Sequence, residues 1–187
     1  MAESDRARRL KLLVLAAAVG VAIYAFMPKH AATSGPVKAA SARKAIPEFA
    51  LPAASGGEWK VADNRGKVIL VNFWATWCPP CRRETPELVR IHDKYAQRGF
   101  SVVGISLDDN PESVVPRFVE QFKMSYPVLY PTADFGMAAE VQSLPTTVLV
   151  DRQGRIARTY LGAVSEDMLA GDIEQLLQER PVVPAAN

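Results

Sequence analysis

The 187-residue chain carries two cysteines, and they stand together in Trp77-Cys78-Pro79-Pro80-Cys81. Thiols at this spacing can close a disulfide across one helical turn, attack another disulfide, or supply half of a metal site. A metal site needs further ligands, and the only histidines are His30 and His92, too few to assemble a closed four-ligand zinc centre. Arg82 follows Cys81, so the Cys-x-x-Cys-His pattern that attaches haem is absent. Two cysteines also cannot form a small-secreted-protein disulfide scaffold. A lone structural disulfide or two packing cysteines remain the plain readings. Position raises redox chemistry above them. The pair falls between an apolar run, KVILVNF at 67–73, and a stretch with helical spacing at 81–97. Cys78 then sits at a helix N-terminus, where unpaired N–H groups and the helix dipole favour an anion. A thiolate there has a depressed pKa and attacks at neutral pH. Cys81, one turn in and more buried, suits the resolving role. Arg82 and Arg83 read either as a slight further stabilisation of that thiolate or as a solvated helix face.

The elements that position the pair can be read outward from it. Residues 67–73 and 100–106 (FSVVGIS) are β-branched apolar runs of strands buried on both faces. Leu88, Ile91 and Tyr95 line one side of the 81–97 helix, and His92 reads as a surface residue on it. Asp108-Asp109-Asn110 is a strand-end loop, and its carboxylates suit turn and cap roles. Residues 111–122 open with Pro-Glu and form a helix, with Pro116 confining its first turn. A short strand at 126–130 and one or two helical turns at 134–141 follow. The runs 146–150 and 156–161 bracket Asp151-Arg152-Gln153-Gly154, a hairpin signal. Ser165 caps a last helix reaching about Gln178, and Phe49, Leu51, Trp59 and Val61 around Gly56-Gly57 form an extra hairpin upstream. Strands alternating with helices imply an α/β layer fold, one domain over residues 46–180. The proline-rich tail 181–187 frays.

Net charge is +2, and the first eleven residues carry that whole surplus, so the rest of the chain is formally neutral. A neutral body argues against a nucleic-acid grip. Residues 12–27, LLVLAAAVGVAIYAFM, are sixteen uncharged apolar positions, close to the length of a membrane-spanning helix. Ala40-Ser41-Ala42 offers a cleavage-like triplet but lies thirteen residues beyond Met27, so residues 1–28 read as a cytoplasmic N-terminus plus an uncleaved anchor. Four cations precede the run, which leaves residues 28–187 outside the cytoplasm. Residues 29–45 lack periodicity and read as a flexible linker with a mean reach of about 20–25 Å.

The stretch VNFWATWCPPCRRETPEL at 71–88 resembles the active-site segment of the thioredoxin superfamily, most closely the membrane-anchored TlpA/ResA-like thiol–disulfide oxidoreductases. Ile46-Pro47-Glu48-Phe49, Gly66-Lys67 and Ser143-Leu144-Pro145-Thr146-Thr147 extend the likeness over about residues 45–178. The resemblance implies a thioredoxin-like fold: a central mixed β-sheet flanked by helices, with the extra N-terminal hairpin. It implies a cis Pro145 beside the Cys78 sulfur, whose bend lets the adjoining backbone pair with an extended substrate. Trp77, Pro79, Pro80 and Leu144 are then the docking face, and Pro86 interrupts the active-site helix. Asn72 stands where soluble thioredoxins have a buried, titrating Asp. Glu84, one turn beyond Cys81, either takes over proton transfer, as in ResA-like proteins, or is a solvated first-turn carboxylate.

The function implied is a periplasmic reductase of client-protein disulfides, held on the bacterial cytoplasmic membrane as a monomer. It uses no cofactor and is recharged by a membrane thiol-transfer protein, with cytochrome c maturation or metal-site assembly as client pathways. Two other classes stand beside it. A Cu(I)-delivery module would need a third ligand, and no Met or His adjoins the motif. A peroxiredoxin-like peroxidase would need Pro-x-x-x-Thr-x-x-Cys, where this chain has Val71 and Ala75.

Overall fold

A computed structural model describes residues 32–33 and 35–179; the apolar run 12–27 and the tail 181–187 lie outside the described residues. Among the described residues, no helix is long and apolar enough to cross a membrane. The elements run β1 (Ala32–Thr33), β2 (Ala50–Pro52), β3 (Glu58–Lys60), β4 (Val68–Trp74), α1 (Pro79–Tyr95), β5 (Phe100–Ser106), α2 (Pro111–Phe122), β6 (Val128–Leu129), α3 (Gly136–Ala139), β7 (Thr146–Val150), β8 (Ile156–Leu161) and α4 (Glu166–Gln178). Six strands form one sheet in the order β1-β8-β7-β4-β5-β6, and β2 and β3 form a separate hairpin. β4, β5 and β6 are mutually parallel, whereas β7 runs antiparallel to β4 and β8 antiparallel to β7. The sheet is therefore mixed, as the resemblance implies.

Strand alternation explains how β4 serves two cores. Val68, Leu70 and Trp74 face one side, with Leu88, Ile91 and Tyr95 of α1 and Leu169, Ile173 and Leu176 of α4. Ile69, Val71 and Phe73 face the other, with Leu51 and Trp59 of the hairpin and Phe135. Each fully buried aliphatic contributes about 1.5–3 kcal/mol, so both layers hold the central strand rigid. The same parity turns Asn72 toward α1. Gly104 of β5, opposite Asn72, has to be small. A Cβ there would lie 2.9 Å from Trp74 Nε1 and 3.3 Å from Tyr126 Cε2.

Residues 35–45 differ from the flexible linker expected of them. Lys38 N–H donates to Ala157 O (2.9 Å), Ile156 N–H donates to Lys44 O (2.8 Å), and Ala45 bridges Arg155. With Ala32 and Thr33 pairing to Leu161 and Tyr160, this segment runs along the outer side of β8. Its anchor is Arg43, whose buried side chain donates to Asp151 (3.1 Å), to Glu179 (2.7 Å) and to Lys38 O (2.9 Å). Asp151 also caps its own hairpin, accepting from the N–H groups of Gln153 and Arg155 at 2.9 Å each. A guanidinium is buried only when its donors are matched, and here two distant carboxylates match it. At the other end of the sheet, Ala54 N–H donates to Val128 O and Tyr130 N–H to Pro52 O, which stitches the hairpin to β6.

Candidate active site

Cys78 is the N-cap of α1 and Pro79 its first helical residue. The backbone of Cys78 is extended, so its side chain turns back over the first turn, and its Sγ accepts from Cys81 N–H at 3.3 Å. Pro79 and Pro80 have no N–H, which leaves Cys81 as the one amide of that turn bonded to the sulfur. The two cysteines are joined in a disulfide with Cα atoms 5.3 Å apart. Cys81 is expected to be the more buried of the two, and in this oxidised form Cys78 is 3% exposed against 0% for Cys81. The order holds but the margin is narrow. Trp77 is 66% exposed, Pro79 is exposed and Pro80 half-buried, so the surface around the sulfur is apolar.

The loop leading into Cys78 is clamped by Asp108. Its carboxylate accepts from Thr76 N–H (3.0 Å), Thr76 Oγ1 (2.7 Å) and Ser106 Oγ (2.8 Å). The strand-end loop thus does more than turn the chain: it fixes the entry to the motif. Arg82 is half-buried rather than part of a solvated face. It donates to Thr76 O (3.2 Å), and its guanidinium lies 5.2 Å from the Phe118 ring centre and 5.3 Å from that of Phe122, which are cation–π distances. Arg83 is exposed.

Glu84 is 2% exposed, which removes the solvated reading. One carboxylate oxygen accepts from Asn72 Nδ2 and the other from Val164 N–H, each at 2.9 Å. Asn72 Nδ2 also donates to Thr147 Oγ1 at 3.0 Å. Burial raises the Glu84 pKa from 4.5 to about 7, and the two hydrogen bonds hold it from rising further. A carboxyl buried one turn beyond Cys81 is thus poised near neutrality, where general acid–base groups work best.

The Leu144–Pro145 bond is cis. Thr146 pairs opposite Phe73 and Thr147 opposite Asn72, so register brings Pro145 level with Trp74, at the end of β4 that feeds the Cys-x-x-Cys loop. Pro145 O accepts from Gly162 N–H (2.8 Å), and half-buried Leu144 packs against both cores. Pro86 lies inside α1 as expected. His92, read from sequence as a surface residue, is half-buried. Its Nδ1 accepts from Val102 N–H at 3.2 Å, and burial lowers its pKa. Among the described residues, no group of three or more His, Cys, Asp and Glu side chains is gathered to hold a metal ion.

Three contributions escaped the sequence: Asp108 as the clamp on Thr76, Thr147 as the third member of the Glu84–Asn72 chain, and the Arg82 stack on Phe118 and Phe122. Each joins residues more than 30 positions apart, and only the doublet Thr146-Thr147 after Pro145 hinted at any of them.

A mixed sheet bearing a Cys-Pro-Pro-Cys disulfide at a helix start, with a cis-proline strand beside it, defines a thiol–disulfide oxidoreductase of the thioredoxin superfamily. The Redoxin family profile matches residues 41–177, and the chain belongs to that family. It is ResA-like. The thiol-disulfide oxidoreductase ResA of Geobacillus thermodenitrificans is 33% identical over 174 residues, covering 91% of this chain and 92% of that one. ResA of Bacillus subtilis is 29% identical over 161 residues, covering 84% and 85%. Among solved structures, a thioredoxin-family thiol:disulfide interchange protein from Chlorobium tepidum TLS is 29% identical with a TM-score of 0.66, covering 74% of this chain and 99% of that one.

Proposed function

We propose that the protein is a membrane-tethered reductase of disulfides in extracytoplasmic client proteins, serving cytochrome c maturation or metal-site assembly. The observation that carries the direction is the single amide, from Cys81, bonded to the Cys78 sulfur. A strongly oxidising pair of this fold depends on a very stable thiolate. With two prolines in the first turn, Cys78 gains only moderate stabilisation, and the reduced pair gives up electrons readily. The tether rests on the uncharged run 12–27 with its cationic leading flank, and the client class on the ResA-like character of the chain.

In the reaction, the Cys78 thiolate attacks a client disulfide, forming a mixed disulfide and expelling one client thiolate. Cys81 loses its proton and its sulfur attacks Cys78 Sγ. The second client sulfur leaves as a thiolate, and the Cys78–Cys81 disulfide results. Two electrons pass to the client. Glu84 accepts the Cys81 proton, and the leaving thiolates take protons from water. A membrane thiol-transfer protein returns the enzyme to the dithiol.

Cys81→Ser in intact cells tests this reading. It should accumulate mixed disulfides through Cys78 with exported proteins, recovered in the membrane fraction and identified by mass spectrometry. Cys78→Ser should trap none. Trapping through Cys81 in the Cys78→Ser variant would reverse the roles, and a wild-type reduction potential near about −120 mV would reverse the direction. A soluble protein with a mature N-terminus near Ser41–Arg43 would refute the tether alone.

A further inference from the structure

Beside the disulfide lies an open cleft of about 320 Å³, between the Cys-x-x-Cys loop, α1 and α2, lined by Thr76, Trp77, Arg82, Val114, Arg117 and Phe118. Two observations single it out. The exposed large hydrophobic residues among those described are Trp77 (66%), Val114 (40%) and Leu161 (43%). The first two line this cleft, and the third is paired opposite Thr146, next to Pro145. Apolar exposure is therefore concentrated at the end of the molecule where the sulfurs sit, which is where a partner is expected to cover it.

The second observation is charge. Among the described residues, six arginines are matched to carboxylates, Arg43, Arg65, Arg90, Arg98, Arg155 and Arg158; Arg83 and Arg152 are not, and neither lines this cleft. Arg82 and Arg117 have no carboxylate partner among the described residues. Arg82 spends one N–H on Thr76 O and rests on two phenyl rings. Arg117 has no partner among them. Asp108, the carboxylate bonded to the cleft's own Thr76, is turned inward and buried. Glu112, on the same helix as Arg117, forms no ion pair with it. Two cations thus flank an apolar floor with nothing opposite them.

We infer that this cleft docks the client segment adjoining the disulfide under attack, and that it selects a polypeptide carrying an apolar side chain flanked by Asp or Glu. The inference rests on the thiol–disulfide reading above and names its substrate class. The volume suits one or two side chains rather than a whole ligand. The apolar residue covers Trp77 and Val114, while the carboxylates meet Arg117 and the open face of Arg82. Two cations on a body that is formally neutral with them counted are too few to hold a nucleic acid, and they sit at the reactive sulfur, where only a disulfide-bearing substrate gains from them.

The test uses two disulfide-linked peptides of equal length, each with a Leu beside the reactive cysteine, one flanked by two Glu and the other by two Lys. Single-turnover reduction by the reduced protein is followed by chromatography, and the ratio of the two second-order rate constants is read on each protein. In the wild type the Glu peptide should react at least about tenfold faster at low salt, and the ratio should shrink toward one at about 0.5 M salt. Exposed Arg117 can be changed without threat to the core: Arg117→Ala should reduce the ratio, and Arg117→Glu, whose charge offsets that of Arg82, should bring it to about one. A wild-type ratio within about twofold of one at low salt, or a ratio unmoved by Arg117→Glu, overturns the inference while leaving the reductase intact. Reduction of neither peptide would instead sink the reductase reading on which it rests.

Discussion

Glu84→Gln keeps the outline of the buried side chain and removes its titration, so it separates what the group does for stability from what it does for proton transfer. In the folded protein the carboxyl holds its proton up to about pH 7, whereas its ordinary pKa is 4.5. Between those values the folded state binds more protons than the unfolded chain, so stability falls as pH rises through the window. At about 1.4 kcal/mol per pH unit, the loss from pH 4.5 to 7 and above is ~3 kcal/mol. The glutamine has no such slope. Its amide can accept from only one of Asn72 and Val164, a pH-independent cost of about 1–2 kcal/mol unless Asn72 turns its own amide to match. His92, whose pKa is lowered by burial, contributes the opposite slope, but equally in both proteins. Urea unfolding of the oxidised forms at pH 4.5 to 8.5 should therefore show the variant weaker than wild type in acid and equal or stronger at pH 8. A stability difference that stays constant across that range would refute the buried, neutral-at-acid-pH Glu84. The rate of mixed-disulfide resolution should lose its inflection near pH 7 in the same variant.

Other outcomes follow from the surroundings of the pair. The wild-type reduction potential should lie in the lower half of the interval between about −270 and −120 mV, or below it; Pro79→His, which restores an amide to the first turn, should raise it by tens of mV, as measured against a glutathione buffer. Gly104→Ala should cost about 1–3 kcal/mol by overpacking, because the new methyl meets Trp74 and Tyr126; an unchanged urea midpoint would contradict the close approach. Asp108→Ala should free Thr76, lowering stability by about 1–3 kcal/mol and slowing attack by Cys78 in a single-turnover peptide assay; a variant matching wild type in both would show that the loop holds itself.

The thiol pair and its setting were readable because they are local: a buried strand, two cysteines at helical spacing and a helix follow one another along 30 residues. The α/β alternation was readable for the same reason, since β4, β5 and α1 each carry their own period. What lay beyond reach was every partnership made across the sheet. Asn72 and Glu84 each carried a hint, but their junction with Thr147 depends on β7 lying beside β4, which no run of residues states. Arg43 sits in an Ala- and Lys-rich stretch that resembles a tether, and its carboxylates are 108 and 136 positions away. His92 has the helical phase of a boundary residue, and only the height of β5 against α1 decides that it accepts from Val102. Mixed strand order, likewise, came from resemblance rather than from pattern.

The segment along β8 has a consequence for handling the molecule. A strand with one side unpaired offers a row of free N–H and C=O groups on which another chain can build. In this sheet the last long strand, Ile156–Leu161, is shielded by residues 32–33 and 35–45, and the two-residue β6 is overlaid by the β2–β3 hairpin. A version beginning at residue 46, inside the matched family segment, would retain every group of the redox site and strip the shield from β8, together with Arg43, which pairs with Asp151 and Glu179. Such a protein is set to self-associate edge to edge, and loss of activity on storage would reflect a missing border strand rather than damaged thiols.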